Sequence, residues 1–331
     1  MKARVDTCSR HRPLHASARS ASGFTLIELM VAMLLGLVVI AGVGSVFLSN
    51  QQVYRTNKGL SDVQDSTRIA FEMMARDIRV AGLTGCGNSG RFANVVSGAK
   101  WWSNWNNTIV GYTSSQADIA LATNARAKDT ESIILLGAEG SGVSVKANAS
   151  PAFTINESST DMVAGDVVIV CDPDHAALVQ LSSVNGTTLT HAASGNPGNC
   201  TTDLSYPTVC SSGNTYVFAP NAQIAKLNAV DWYVGTNDEG GTSLYRLALT
   251  TVAGEAKAIA SEMVRDVTGL TFLYHQTGDN AFLAADAVNW SQVDAVQVTM
   301  TVISSDKRVG VDAKPVSRTF TSTTTMRNRV P

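Results

Sequence analysis

Gly23-Phe24-Thr25-Leu26-Ile27-Glu28 leads straight into the apolar run Leu29 to Leu48. From Phe24 to Leu48 there are 25 residues, and Glu28 is the only charged one. At about 1.5 Å of rise per helical residue, this length crosses a hydrocarbon core of roughly 30 Å. A carboxylate inside such a segment is costly and marks function. Before the run stand Lys2, Arg4, Arg10, Arg12 and Arg19 against a single acid, Asp6, a net charge of +4. A basic flank of this kind keeps its end of the chain in the cytoplasm. An ordinary secretory signal would carry a small-residue cleavage site after the apolar run. Here the run is followed by Ser49-Asn50-Gln51-Gln52, with no Ala-x-Ala pattern. Read without further context, the segment is a single-pass anchor with Glu28 facing lipid or a partner.

The string Gly23–Glu28, with its position relative to the basic flank and the apolar run, resembles the prepilin signature of type IV pilins and their type II secretion relatives. The resemblance implies cleavage by a prepilin peptidase after Gly23, N-methylation of the new N-terminal Phe24, and a role for Glu28 in assembly. It also implies a leader over 1–23, a helix over 24–82 whose first half is transmembrane, and a globular domain over 83–331. The C-terminal region is similar to that of PilW-type minor pilins and, more broadly, of J-type pseudopilins. Val267-Thr268-Gly269-Leu270-Thr271-Phe272-Leu273-Tyr274 precedes Trp290 and Val293-Asp294-Ala295-Val296-Gln297-Val298, and Phe320 opens a Thr-rich stretch ending Arg327-Asn328-Arg329. Between Asn88 and Ala260 the resemblance is weak. Major pilins commonly carry a Pro in the N-terminal helix; none occurs between Phe24 and Val80 here. That absence and the size of the chain fit a minor subunit.

The implied function is therefore priming of a type IV pilus, at or near its tip, with the adhesion and twitching motility that pili support. The implied partners are the prepilin peptidase, other minor pilins, the major pilin and a tip adhesin. The implied location is the inner membrane, C-terminus periplasmic, and then the pilus on the cell surface. A J-type pseudopilin is the alternative within the same physics. A membrane-anchored adhesin or periplasmic enzyme with a prepilin-like start is the alternative from another class.

Length and charge bound the rest. With 331 residues, the chain holds one large domain or two small ones beyond the apolar segment. The overall net charge is −2, so loss of a +4 leader leaves −6, a poor start for binding nucleic acid. Of five cysteines, Cys8 falls in the leader, leaving Cys86, Cys171, Cys200 and Cys210. An even number outside the cytoplasm favours two disulfides. Three pairings are possible; Cys200 with Cys210 would close a short Pro-containing loop, leaving Cys86 for Cys171. No Cys-x-x-Cys spacing suggests zinc.

Helical periodicity continues past the apolar run. Val53, Leu60, Val63, Thr67, Ala70, Met74 and Ile78 form a stripe, opposite Lys58, Asp62, Asp65, Arg68, Glu72, Arg76 and Arg79. Gly82 and Gly85 end the pattern, so a helix from Thr25 to about Ala81 is predicted, roughly 85 Å long. Gly36, Gly42 and Gly44 either loosen it or mark close packing between membrane helices. Beyond Gly85 strand-like runs dominate. Two hairpins are read, Asp166–Cys171 with Ala177–Leu181 and Ile224–Val234 with Ser243–Leu249. The alternating runs Leu270–Tyr274, Val293–Ile303 and Val316–Met326 suggest an antiparallel sheet against the helix, an α+β, pilin-like fold. Trp101, Trp102 and Trp105 stand together in a polar stretch, either covering the domain's own core or forming an interaction patch.

No catalytic constellation is legible. His175, His191 and His275 stand in no nucleophile–base pattern, and no Gly-x-Ser-x-Gly, His-Glu-x-x-His or P-loop motif occurs. The chain is read as a non-enzyme without cofactor. Asp172, Asp174 and His175 have the residue types for a cation but read better as a turn. Asn237, Asp238 and Glu239 hint at calcium without an EF-hand pattern and read better as a solvated hairpin tip.

Overall fold

A computed structural model describes residues 23–86, 90–139, 142–211, 215–310 and 314–327. The leader up to residue 22, with Cys8, and Asn328-Arg329 lie outside the described residues. One helix, α1 (Leu26–Val80), precedes a strand-rich region. The strands are β1 (Phe92–Asn94), β2 (Ile109–Tyr112), β3 (Ser132–Ala138), β4 (Val143–Ala149), β5 (Ala152–Ile155), β6 (Val167–Cys171), β7 (Ala176–Gln180) and β8 (Ser183–Asn185). They continue with β9 (Thr188–Thr190), β10 (Gln223–Thr236), β11 (Thr242–Val252), β12 (Glu255–Arg265), β13 (Val267–Gln276), β14 (Phe282–Leu283), β15 (Val293–Ile303) and β16 (Ser317–Thr325). The fold is α+β: a long apolar N-terminal helix followed by a sheet-rich domain. Two compact units divide the chain, one ending at Tyr54 and one spanning Arg55–Pro331.

In the first unit, the side chains from Phe24 to Leu48 are exposed, Gly36 alone being half-buried. The helix runs unbroken through Gly36, Gly42 and Gly44, and no atom lies within 4 Å of where a Cβ would stand on any of the three. Nothing within the chain accounts for small residues at these positions.

In the second unit, Gly59, Val63, Thr67, Ala70, Met74, Asp77 and Ile78 form the buried face of α1. The predicted stripe differs at its ends: Val53 lies in the first unit and is exposed, and Leu60 is half-buried. The mid-helix Thr67 is accommodated because its hydroxyl donates to the Val63 carbonyl at 2.7 Å. Val63, Ala70, Met74 and Ile78 share one apolar core with Ile133 and Leu135 of β3, Val230 and Trp232 of β10, Leu270 and Phe272 of β13, and Val296, Val298 and Met300 of β15.

Two sheets frame this core. Twelve strands form the larger, and β14-β13-β15-β16 the smaller. The pivot of the larger sheet is β10, whose first residues pair with β4 and β6 and whose remainder pairs with β3 and β11. The two-residue alternation of strands sorts its side chains. Val230, Trp232 and Val234 join the helix core, whereas Ala225, Leu227 and Ala229 join a second cluster on the opposite face. In β6, Val168 and Val170 enter a third cluster with Phe153 and Phe218, while Val167, Ile169 and Cys171 face the second. Burial on both faces explains the near-continuous apolar sequence of β6.

Backbone contacts clip the end of α1 to β3. The Gly82 amide donates to Leu136 O at 2.7 Å, and the Ala138 amide to Leu83 O at 2.8 Å. Gly137 permits the approach, since a Cβ there would lie 2.2 Å from the Val80 carbonyl oxygen.

Candidate functional site

Gly23, Phe24 and Thr25 precede the helix, which begins at Leu26. Thr25 is its N-cap. Its carbonyl accepts from the Leu29 amide at 3.1 Å, and its hydroxyl oxygen accepts from the Glu28 amide at 3.3 Å. Thr25-x-x-Glu28 is thus the sequence pattern of a capping box, with the Glu in the first turn, where the helix dipole favours a negative charge. That pattern is legible in the sequence, and Thr25 helps to start the helix. Glu28 therefore has a local reason to be tolerated.

The backbone around the Gly23–Phe24 bond is non-helical and exposed, with Phe24 82% accessible. Among the described residues, nothing lies within 4 Å of where a Cβ on Gly23 would stand. Downstream, Leu26, Ile27, Leu37 and Ile40 are each at least 71% exposed. An apolar surface this continuous is covered by lipid or by other apolar helices in the working state.

Outside this segment, Cys86 is bonded to Cys171 at the end of β6, and Cys200 to Cys210. The acidic hairpin tip is a turn. Asp172 Oδ1 accepts the Asp174 and His175 amides at 3.0 and 2.9 Å, and Asp172 Oδ2 accepts the Tyr216 hydroxyl at 2.7 Å. His175 is buried, its Nε2 lies 2.5 Å from Leu204 O, and burial lowers its pKa. At the second tip, Asn237 Oδ1 accepts the Glu239 and Gly241 amides, closing the β10–β11 hairpin. His275 stays near the surface with Nδ1 2.6 Å from Asp294 Oδ1, and that hydrogen bond raises its pKa.

A buried carboxylate with several hydrogen bonds escapes the reading of the sequence alone. Asp77, left out of the charged face of α1, is buried. Its carboxylate accepts from Trp232 Nε1 at 2.9 Å, Arg246 Nε at 2.8 Å and Asn228 Nδ2 at 3.2 Å. Its place next to Ile78, on the apolar side of the helix, was the available signal. The network fastens α1 to β10 and β11.

Residues 18–44 match the family model described as the prokaryotic N-terminal methylation motif. The match takes in Gly23, Phe24 and Glu28 and ends within the apolar run. No curated protein matches the chain. At its N-terminus the chain is type IV pilin-like, and the motif supports a pilin or pseudopilin that a prepilin peptidase processes and that assembles with other pilins. The motif points to a structural subunit, and the apolar helix fits anchoring in a membrane.

Proposed function

We propose that this chain is a minor pilin of PilW type that helps to prime a type IV pilus and sits at or near its tip. In this reading the peptidase removes residues 1–23, Phe24 is N-methylated, and the first half of the helix over 24–82 holds the subunit in the inner membrane. The domain over 83–331 faces the periplasm and then the cell exterior. Its partners are other minor pilins, the major pilin and a tip adhesin. The observation that carries the reading is the methylation motif at the head of the 25-residue segment Phe24–Leu48, which is exposed except at Gly36 and holds one carboxylate. The C-terminal order of Leu270–Tyr274, Trp290 and Val293–Val298, now strands β13 and β15, supports the PilW branch.

Glu28 supplies the mechanism. A lone carboxylate in hydrocarbon takes a cationic partner or a proton. The amine that cleavage creates on Phe24 is the natural cation, from a neighbouring subunit or the same chain. Pairing between subunits would set the axial register as each one docks. In Gly23→Leu the leader-bearing form accumulates in the inner membrane. Glu28→Leu and Glu28→Ala insert normally but are depleted from sheared filaments, and Glu28→Asp is intermediate. Pilus counts and subunit recovery measure this. Mature protein from Gly23→Leu, or full recovery of Glu28→Leu, would refute the mechanism. Normal piliation with loss of a secreted protein in a deletion strain would assign the chain to a secretion pseudopilus instead.

A further inference from the structure

The three neighbouring tryptophans divide their labour. Trp102, in a single 3-10 turn (Trp101–Ser103), is buried at 4% exposure and anchors the segment in the cluster that includes Leu136, Ile169 and Leu178. Trp101 and Trp105 pack against that cluster but remain half-exposed. With Phe92 of β1 they line a cleft of about 460 Å³. Phe92 and Trp105 are stacked face to face, their ring centres 4.3 Å apart and their planes 3° from parallel. We propose that this cleft is a carbohydrate-binding site that accepts a pyranose ring against the aromatic wall.

The cleft has the volume of small-ligand sites, about 300–1,000 Å³. Its rim carries Asn104, Asn106 and Lys100, all exposed, and no carboxylate lines it among the described residues. A pyranose is apolar on its C–H faces and carries hydroxyls around its edge that both donate and accept. Flat aromatic rings match the faces, and carboxamides, each with donors and an acceptor, match the edge. A wholly apolar ligand would desolvate the amides without replacing their hydrogen bonds. A nucleic-acid backbone calls for several cations, and Lys100 stands alone in the lining. That single positive charge favours a sugar that bears a carboxylate over a neutral one.

The wall is held ready for a ligand. Asn94 Nδ2 donates to Ser103 O at 2.9 Å, and Asn94 Oδ1 accepts the Val96 amide at 3.1 Å. The Ser97 amide donates to Gly198 O at 2.9 Å, and the Cys200 amide to Val95 O at 2.8 Å. The base of the loop is therefore tied to β1 and to the segment around Cys200. A preorganised site loses less conformational freedom on binding. This proposal does not depend on the pilin reading.

The test uses the full chain in a detergent without a sugar headgroup. Tryptophan fluorescence and calorimetry are followed against hexamers of glucose, galactose, N-acetylglucosamine and galacturonic acid. Saturable binding of at least one hexamer is expected, strongest for the galacturonate. Trp101→Ala weakens it at least tenfold, and Lys100→Gln weakens the galacturonate alone. Because loss of an indole can disturb the loop, the exposed Asn104→Ala serves as a second variant, expected to weaken binding several-fold at unchanged Tm. Absence of saturable binding to all four hexamers overturns the proposal. So does wild-type affinity in both Trp101→Ala and Asn104→Ala.

Discussion

His191 shows how burial alone sets a residue's chemistry. It is fully buried against Phe153, with ring centres 4.7 Å apart, and among the described residues no other residue hydrogen-bonds to its ring nitrogens. Burial lowers its pKa from 6.5 to about 4. In the unfolded chain the same histidine takes up a proton near pH 6.5, whereas the native one stays neutral. Its contribution to stability is therefore complete above pH 6.5 and is lost as the pH falls toward 4. The difference is worth on the order of 3 kcal/mol. In His191→Phe, Tm should fall less steeply between pH 6.5 and 4 than in the wild type, as followed by calorimetry at several pH values. Identical slopes would show that another group titrates. Asp231 has the opposite sign. It is fully buried, burial raises its pKa, and its contribution is present at low pH and lost as pH rises past the ordinary carboxylate range.

At the scale of elements, the attachment of α1 to the sheet combines apolar burial with one polar clamp. Removing a buried Met such as Met74 costs about 2–5 kcal/mol by the general behaviour of core truncations. Asp77 belongs to the same range for a different reason. Its side chain is 7% exposed and that of Arg246 26%, so Asp77→Ala strands a partly desolvated guanidinium and the Trp232 N–H together. Breaking one side of such a pair costs about 3–5 kcal/mol. The double variant Asp77→Leu/Arg246→Met should lose clearly less, because no uncompensated charge remains. Urea unfolding of the two variants in detergent measures the difference. A double variant as unstable as Asp77→Ala would mean that the pair is not coupled.

For the molecule as a whole, the two disulfides act at different ranges. Cys86–Cys171 spans 85 residues and ties the segment after α1 to β6, whereas Cys200–Cys210 spans 10. Loop-closure entropy makes the first worth about 4–5 kcal/mol and the second about 3. Denatured, unreduced protein lacking the leader should label no thiol. Replacing Cys86 and Cys171 by Ser should lower Tm more than replacing Cys200 and Cys210. Equal losses would indicate that contacts made by the bridges, rather than chain entropy, dominate their effect.

The N-terminal quarter was readable directly because its signals are local. A 25-residue apolar run with one carboxylate, a basic flank and a helical stripe need no tertiary partner to be recognised. Thr25-x-x-Glu28 is equally local, a cap and its first-turn carboxylate three residues apart. The alternating runs of β13 and β15 were legible for the same reason, since each has one buried and one more open face, and the Thr-rich β16 pairs beside them. Tertiary structure alone decided the rest. The long, largely exposed β12, the extent of the twelve-stranded sheet and the pivot role of β10 depend on which strands meet, and pairing leaves no mark on a single strand. Asp77 reads as a surface acid until Trp232 and Arg246, more than 150 residues away, close around it. Trp102 and Trp101 are identical in sequence, and only the 3-10 turn between β1 and β2 sends one into the core and leaves the other on the wall of a cleft.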